Sequence, residues 1–149
     1  MNGTKPTVIP APDLFARDVT AHSVGCCVVE NRGSKRELIQ AEIIAKNTPI
    51  PCQRSDQFYL ENEHQTDAKI EILQGDPRAR REDCLLIGEL LLENLPKEST
   101  RTPRIVVEYC IDANGMVTAT VTDKVSGQTR SVSVDYKKGV KPKSKPSAA

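Results

Sequence analysis

Aromatic residues make up only 3% of this chain, and His22 and His64 are its sole histidines. A core must therefore be built from Val, Ile and Leu, two of which favour strands. Charge of one sign is missing too. The formal net charge is +1, which excludes a strong general field for nucleic acid or a membrane surface. No apolar run approaches the length that spans a bilayer, and the N-terminal stretch lacks the charged start and apolar block of a secretory signal. No C-x-x-C pair occurs. Cys26, Cys27, Cys52, Cys84 and Cys110 are an odd count, scattered apart from one adjacent pair, which is not the clustered spacing of a zinc site. They read as reduced thiols used as small hydrophobes, so a cytoplasmic protein without metal or cofactor is expected. Neither histidine sits in a catalytic motif with a cysteine, which leaves nucleophilic chemistry little support.

What is present is a β pattern. The 149 residues suit one domain with a real core. Ile105, Val107, Tyr109 and Ile111 recur at a period of two, as on one face of a strand. Asp112-Ala113-Asn114-Gly115 follows, and its Asn-Gly pair is a hairpin signal because both residues tolerate positive φ. Val117, Ala119 and Val121 then alternate with Thr118, Thr120 and Thr122, and a turn at Asp123 to Gly127 leads to Val132 and Val134. That is a β-meander with one apolar and one polar face.

Upstream, strands are expected near Val24 to Val29, Leu38 to Ala45, Gln57 to Leu60, and around Ala68, Ile70 and Ile72. A polar turn over Glu30 to Arg36 separates the first two, and Pro49 and Pro51 make their surroundings irregular. Glu82 to Asn94 is ambiguous, because Ile87, Leu90 and Leu91 would also share a helix face. Gly88 and Pro96 weaken a helix, so the segment reads as a strand bulged at Gly88. Residues 1–17 read as an extended, proline-containing lead-in, and 137–149 as a solvated basic tail. Between them, 18–136 holds about eight strands, which suits an all-β antiparallel β-sandwich.

An ordered set of short motifs runs through this region. Asp18-Val19-Thr20, Ser23, Gly25 and Lys46-Asn47-Thr48-Pro49-Ile50-Pro51 come first, then Ile70-Glu71-Ile72-Leu73-Gln74-Gly75. Ile111-Asp112-Ala113-Asn114-Gly115, Asp123-Lys124 and Ser126-Gly127 complete it. Together they resemble the substrate-binding β-sandwich domain of the seventy-kilodalton heat-shock chaperones, the DnaK family. The resemblance covers Asp18 to Val134 and implies a module that binds extended apolar segments of unfolded polypeptides, with no bond-making step.

By position, the resemblance implies a groove with Cys26, Val28 and Val29 on one wall. Phe58, Tyr59, Glu61, Gln65, Ala68 and Ile70 form the other, with Phe58 and Ile70 lining a pocket and Ala68 near its floor. Val29 and Glu61 stand where the family carries two apolar residues arching over the bound backbone. Leu14-Phe15-Ala16-Arg17 stands in place of the family's apolar linker. Nothing fits a phosphate-cradling glycine loop, and too few residues follow Val134 for a helical lid. The expectation is therefore a non-enzymatic module lacking its own ATPase, whose partners are unfolded polypeptides and a separate ATPase domain or co-chaperone, not nucleic acid or membrane. Glu61 and Asp67 keep an alternative open, a structural or protein-interaction sandwich that has lost the groove. An enzyme or metal site would have to rest on Glu61, Glu63, His64 and Asp67 of one loop, for which solvation is the simpler account.

Overall fold

The computed structural model describes residues 18–97 and 102–135, so the expected lead-in and basic tail lie outside the described residues. Eight strands follow in order: β1 (Val24–Arg32), β2 (Lys35–Ile44), β3 (Cys52–Phe58), β4 (Ala68–Gln74), β5 (Leu85–Leu92), β6 (Ile105–Ile111), β7 (Met116–Asp123) and β8 (Thr129–Asp135). They form two antiparallel sheets of four, ordered β2-β1-β4-β5 and β3-β6-β7-β8. The expected all-β sandwich is what the chain adopts.

Period-two alternation explains the meander directly. Ile105, Val107, Tyr109 and Ile111 of β6, with Val117, Ala119 and Val121 of β7, are buried against Val24, Cys26, Ile70, Ile72, Leu90 and Leu92 of the facing sheet. On the outer face the hydroxyls pair across strands: Thr118 with Ser133 (3.0 Å), Thr120 with Ser131 (2.9 Å) and Thr122 with Thr129 (3.1 Å). The Asn-Gly turn departs from expectation. Only Gly115 takes positive φ, and the Asp112 carboxylate accepts from the Asn114 and Met116 amides at 2.9 Å, which favours a three-residue loop with glycine last.

Three boundaries also move. The charged stretch expected as a turn over Glu30 to Arg36 is mostly strand, because a tight turn at Gly33-Ser34 suffices and Gly33 supplies the positive φ. β3 ends at Phe58, so Tyr59 and Leu60 lie beyond it, and it begins earlier, at Cys52. Its residues Gln53 to Gln57 are exposed, so an edge strand with two polar faces gave no apolar period to read. In the ambiguous segment, a single 3-10 turn over Arg81–Asp83 precedes strand β5. Ile72 pairs with Gly88 and Leu73 with Leu86, so the bulged residue is Ile87, next to Gly88.

Two buried polar contacts brace the sandwich, one across the layers and one beside the β6–β7 ladder. The buried Tyr109 hydroxyl donates to the Gly25 carbonyl at 2.7 Å, joining β6 to β1 across the core. Burial pushes that phenol well above its usual range, so it stays a donor. Gly25 itself must lack a side chain, since a Cβ there would sit 2.0 Å from the Ala41 carbonyl oxygen. The second contact is the buried pair of Arg104 and Asp123, joined at 2.7 and 2.8 Å. The same carboxylate accepts from the Val125 and Ser126 amides and the Ser126 hydroxyl, which builds the β7–β8 turn.

Removing the tyrosine hydroxyl strands a buried carbonyl, so Tyr109→Phe should lower unfolding free energy by about 1–3 kcal/mol in urea titration. The Arg104 guanidinium holds the Asp123 carboxyl well below the carboxylate range. Its stabilisation is complete above the unfolded carboxyl's pKa of about 4 and is lost as pH falls below that value. Urea midpoints at pH 7 and pH 3 should differ more for the native chain than for Asp123→Asn.

Candidate functional site

The site begins where one ladder stops. β1 pairs with β4 only through Val24–Gln74, Gly25–Leu73 and Cys26–Ile72. β1 then continues to Arg32 with β2 as its partner, while β4 starts at Ala68 and pairs with β5. Between Cys27–Val29 and Ala68–Glu71 the sheet is therefore parted, and strand backbone faces a gap instead of a neighbour. Unpaired strand edges of this kind accept hydrogen bonds from, and donate them to, an added extended chain.

A cavity of about 720 Å³ occupies this gap. Cys26, Val28, Val29, Phe58, Tyr59, Glu61, Gln65, Ala68 and Ile70 all line it, so the nine residues singled out by resemblance are brought together around one opening. Their positions differ in kind. Cys26, Ala68 and Ile70 are buried floor, while Val28 and Phe58 are half-buried and pack against the core. Val29 lies within β1, as expected, and is half-buried. Tyr59 stands 58% exposed at the lip, near the exposed Leu38. Gln65 is used by its own loop: its side-chain oxygen accepts from the Glu61 amide at 3.0 Å, and its nitrogen donates to the Asp67 carbonyl at 2.8 Å.

The electrostatics are carried by two guanidinium–carboxylate pairs. Arg36, on β2, donates to both oxygens of Glu61 at 2.6 and 2.7 Å. That contact draws the Glu61 carboxyl below its usual range. On the β4 side, Arg81 donates to both oxygens of Glu71, one at 2.7 Å, and holds that nearly buried carboxyl below its usual range despite the opposing cost of burial. Sequence reasoning missed Arg81, Glu71 and the partner of Glu61. The one available signal was opposite charge, with Arg32, Lys35 and Arg36 in one segment and Glu61, Glu63 and Asp67 in another. Pairing them needed the topology.

All five cysteines are free, and burial pushes the Cys26 thiol up to about 12. Among the described residues, no three His, Cys, Asp or Glu side chains converge to hold a metal ion. No helix of the described residues is long and apolar enough to cross a membrane.

A two-sheet sandwich with one parted ladder over an apolar floor defines the class: a β-domain with a strand-walled cleft. Comparison with known proteins supplies the family. The family model for Hsp70 protein matches residues 7–147. The chain is 34% identical over 130 residues to the mitochondrial heat shock 70-related protein 1 of Leishmania major, covering 87% of this chain and 19% of that protein. It is 33% identical over 122 residues to chaperone protein DnaK of Prochlorococcus marinus, covering 82% and 18%, and 34% identical over 122 residues to the DnaK of Cyanophora paradoxa, with the same coverage. The chain belongs to the Hsp70 family, and it spans less than a fifth of the length of these relatives.

Because only a thiolate attacks, the raised Cys26 should be the slowest of the five cysteines to react. Mass mapping after iodoacetamide treatment of the folded protein at pH 8 reads this directly, and labelling of Cys26 as fast as Cys27 would contradict it.

Proposed function

We propose that this chain is a peptide-binding β-sandwich of the Hsp70 type, holding extended apolar segments of unfolded polypeptides non-covalently and without an ATPase of its own. The observation that carries the reading is the parted ladder between β1 and β4 above a buried apolar floor. Backbone groups along Cys27–Val29 give sequence-tolerant hydrogen bonds to an extended segment, because every residue offers the same N–H and C=O. One apolar side chain of the segment then enters between Val28, Phe58 and Ile70, where burial contributes about 25 cal/mol per Å². The relatives called chaperone protein DnaK support the assignment by family. A cytoplasmic setting and a separate ATPase domain or co-chaperone as partner belong to the same proposal.

A second reading, an interaction sandwich without a working groove, draws on the Arg36–Glu61 tie beside the opening. NMR titration with an extended Leu-rich peptide separates the two. Shifts should concentrate on the amides of Cys26 to Val29, Phe58 and Ala68 to Ile70. Unmoved amides at millimolar peptide would overturn the binding reading. Phe58→Ala would then only lower stability, by about 2 kcal/mol for a half-buried ring.

A further inference from the structure

Two charged segments flank the cleft. The β1–β2 hairpin carries Arg32, Lys35 and Arg36, and the loop between β3 and β4 carries Glu61, Glu63 and Asp67. The hairpin's own carboxylates, Glu30 and Glu37, are engaged within that side, by Arg32 and Arg78. Arg36 is fixed in a strand opposite Asn31, and Asn31 itself lines the cavity. Glu61 is presented by a loop that Gln65 staples from inside, and it too lines the cavity. The Arg36–Glu61 contact therefore ties one rim to the other with two parallel hydrogen bonds.

We propose that Arg36 and Glu61 form an ionic clasp that closes over a segment held in the cleft and sets how long it stays. The inference rests on the peptide-binding reading of that cleft. Both side chains are half-exposed, so water and salt compete for the pair and its strength is modest. A clasp of that kind opens readily, lets a chain enter from the side and slows its departure without locking it in. It favours no particular peptide charge while closed, since the pair is neutral as a unit. Release, not capture, is the step it governs, as is usual where a single interface is altered.

Stopped-flow release of a fluorescent Leu-rich peptide tests it, using the native chain, Arg36→Gln, Glu61→Gln and the double variant. Each single variant should release about two- to fivefold faster at low salt, with the double variant no faster than either. Half-molar salt should bring the native rate up to theirs. The exchanged pair, Arg36→Glu with Glu61→Arg, should restore slow release. Equal rates for all chains, or the same salt response in every variant, would overturn the clasp and leave peptide binding standing. Binding by the variants but not by the native chain would make the pair a bar, which also overturns it. No binding by any chain would overturn the peptide reading together with the clasp.

Discussion

Gly25 is the constraint on which the rest depends. Its missing side chain lets the Ala41 backbone come close enough to crowd out any Cβ, and its carbonyl receives the buried hydroxyl of Tyr109. One residue thereby fixes β1 against β2 within its sheet and against β6 across the core. It also lies in the middle of the short ladder to β4. Held so firmly at that end, β1 and β4 are free to diverge at the other without the sandwich coming apart. The opening begins just past the pinned end, after the Cys26–Ile72 pair.

How much of this was legible in sequence follows from physics particular to each element. The β6–β7–β8 meander was plain, because one face is core and the other solvent, which forces strict alternation. β3 was misplaced because it lies at an edge with five exposed polar residues in succession, and nothing apolar marks its phase. The hairpin of β1 and β2 read as a turn because its strand ends are charged, yet Arg32 contacts both Glu30 and Glu37, the carboxylates that face each other across the pair. Asn114 was expected to share positive φ with Gly115, but the Asp112 carboxylate caps the loop and glycine alone bears the conformation.

The cleft residues are a different case. No periodicity places Val28 near Ile70, since they lie on strands far apart in sequence and their mutual approach is set by the sheet order. Family resemblance named nine lining residues because ordered motifs carry topology that local pattern does not. It did not supply the ion pairs. Glu61 taken alone is a carboxylate misplaced beside an apolar groove; given Arg36, it is half of a bidentate contact. Glu71 likewise would be costly so near burial without Arg81, and with it becomes a rigid part of the β4 wall.

The outer face of the β3–β6–β7–β8 sheet carries its own consequence. Three hydroxyl pairs run along β7 and β8, each side chain finding a partner next door, while Gln53, Ser55 and Gln57 are exposed on β3. Much of this flank is wetted, and its hydroxyls are already paired with one another. Paired hydroxyls give a second copy of the domain little to grip, so this flank resists the self-association that an apolar cleft invites.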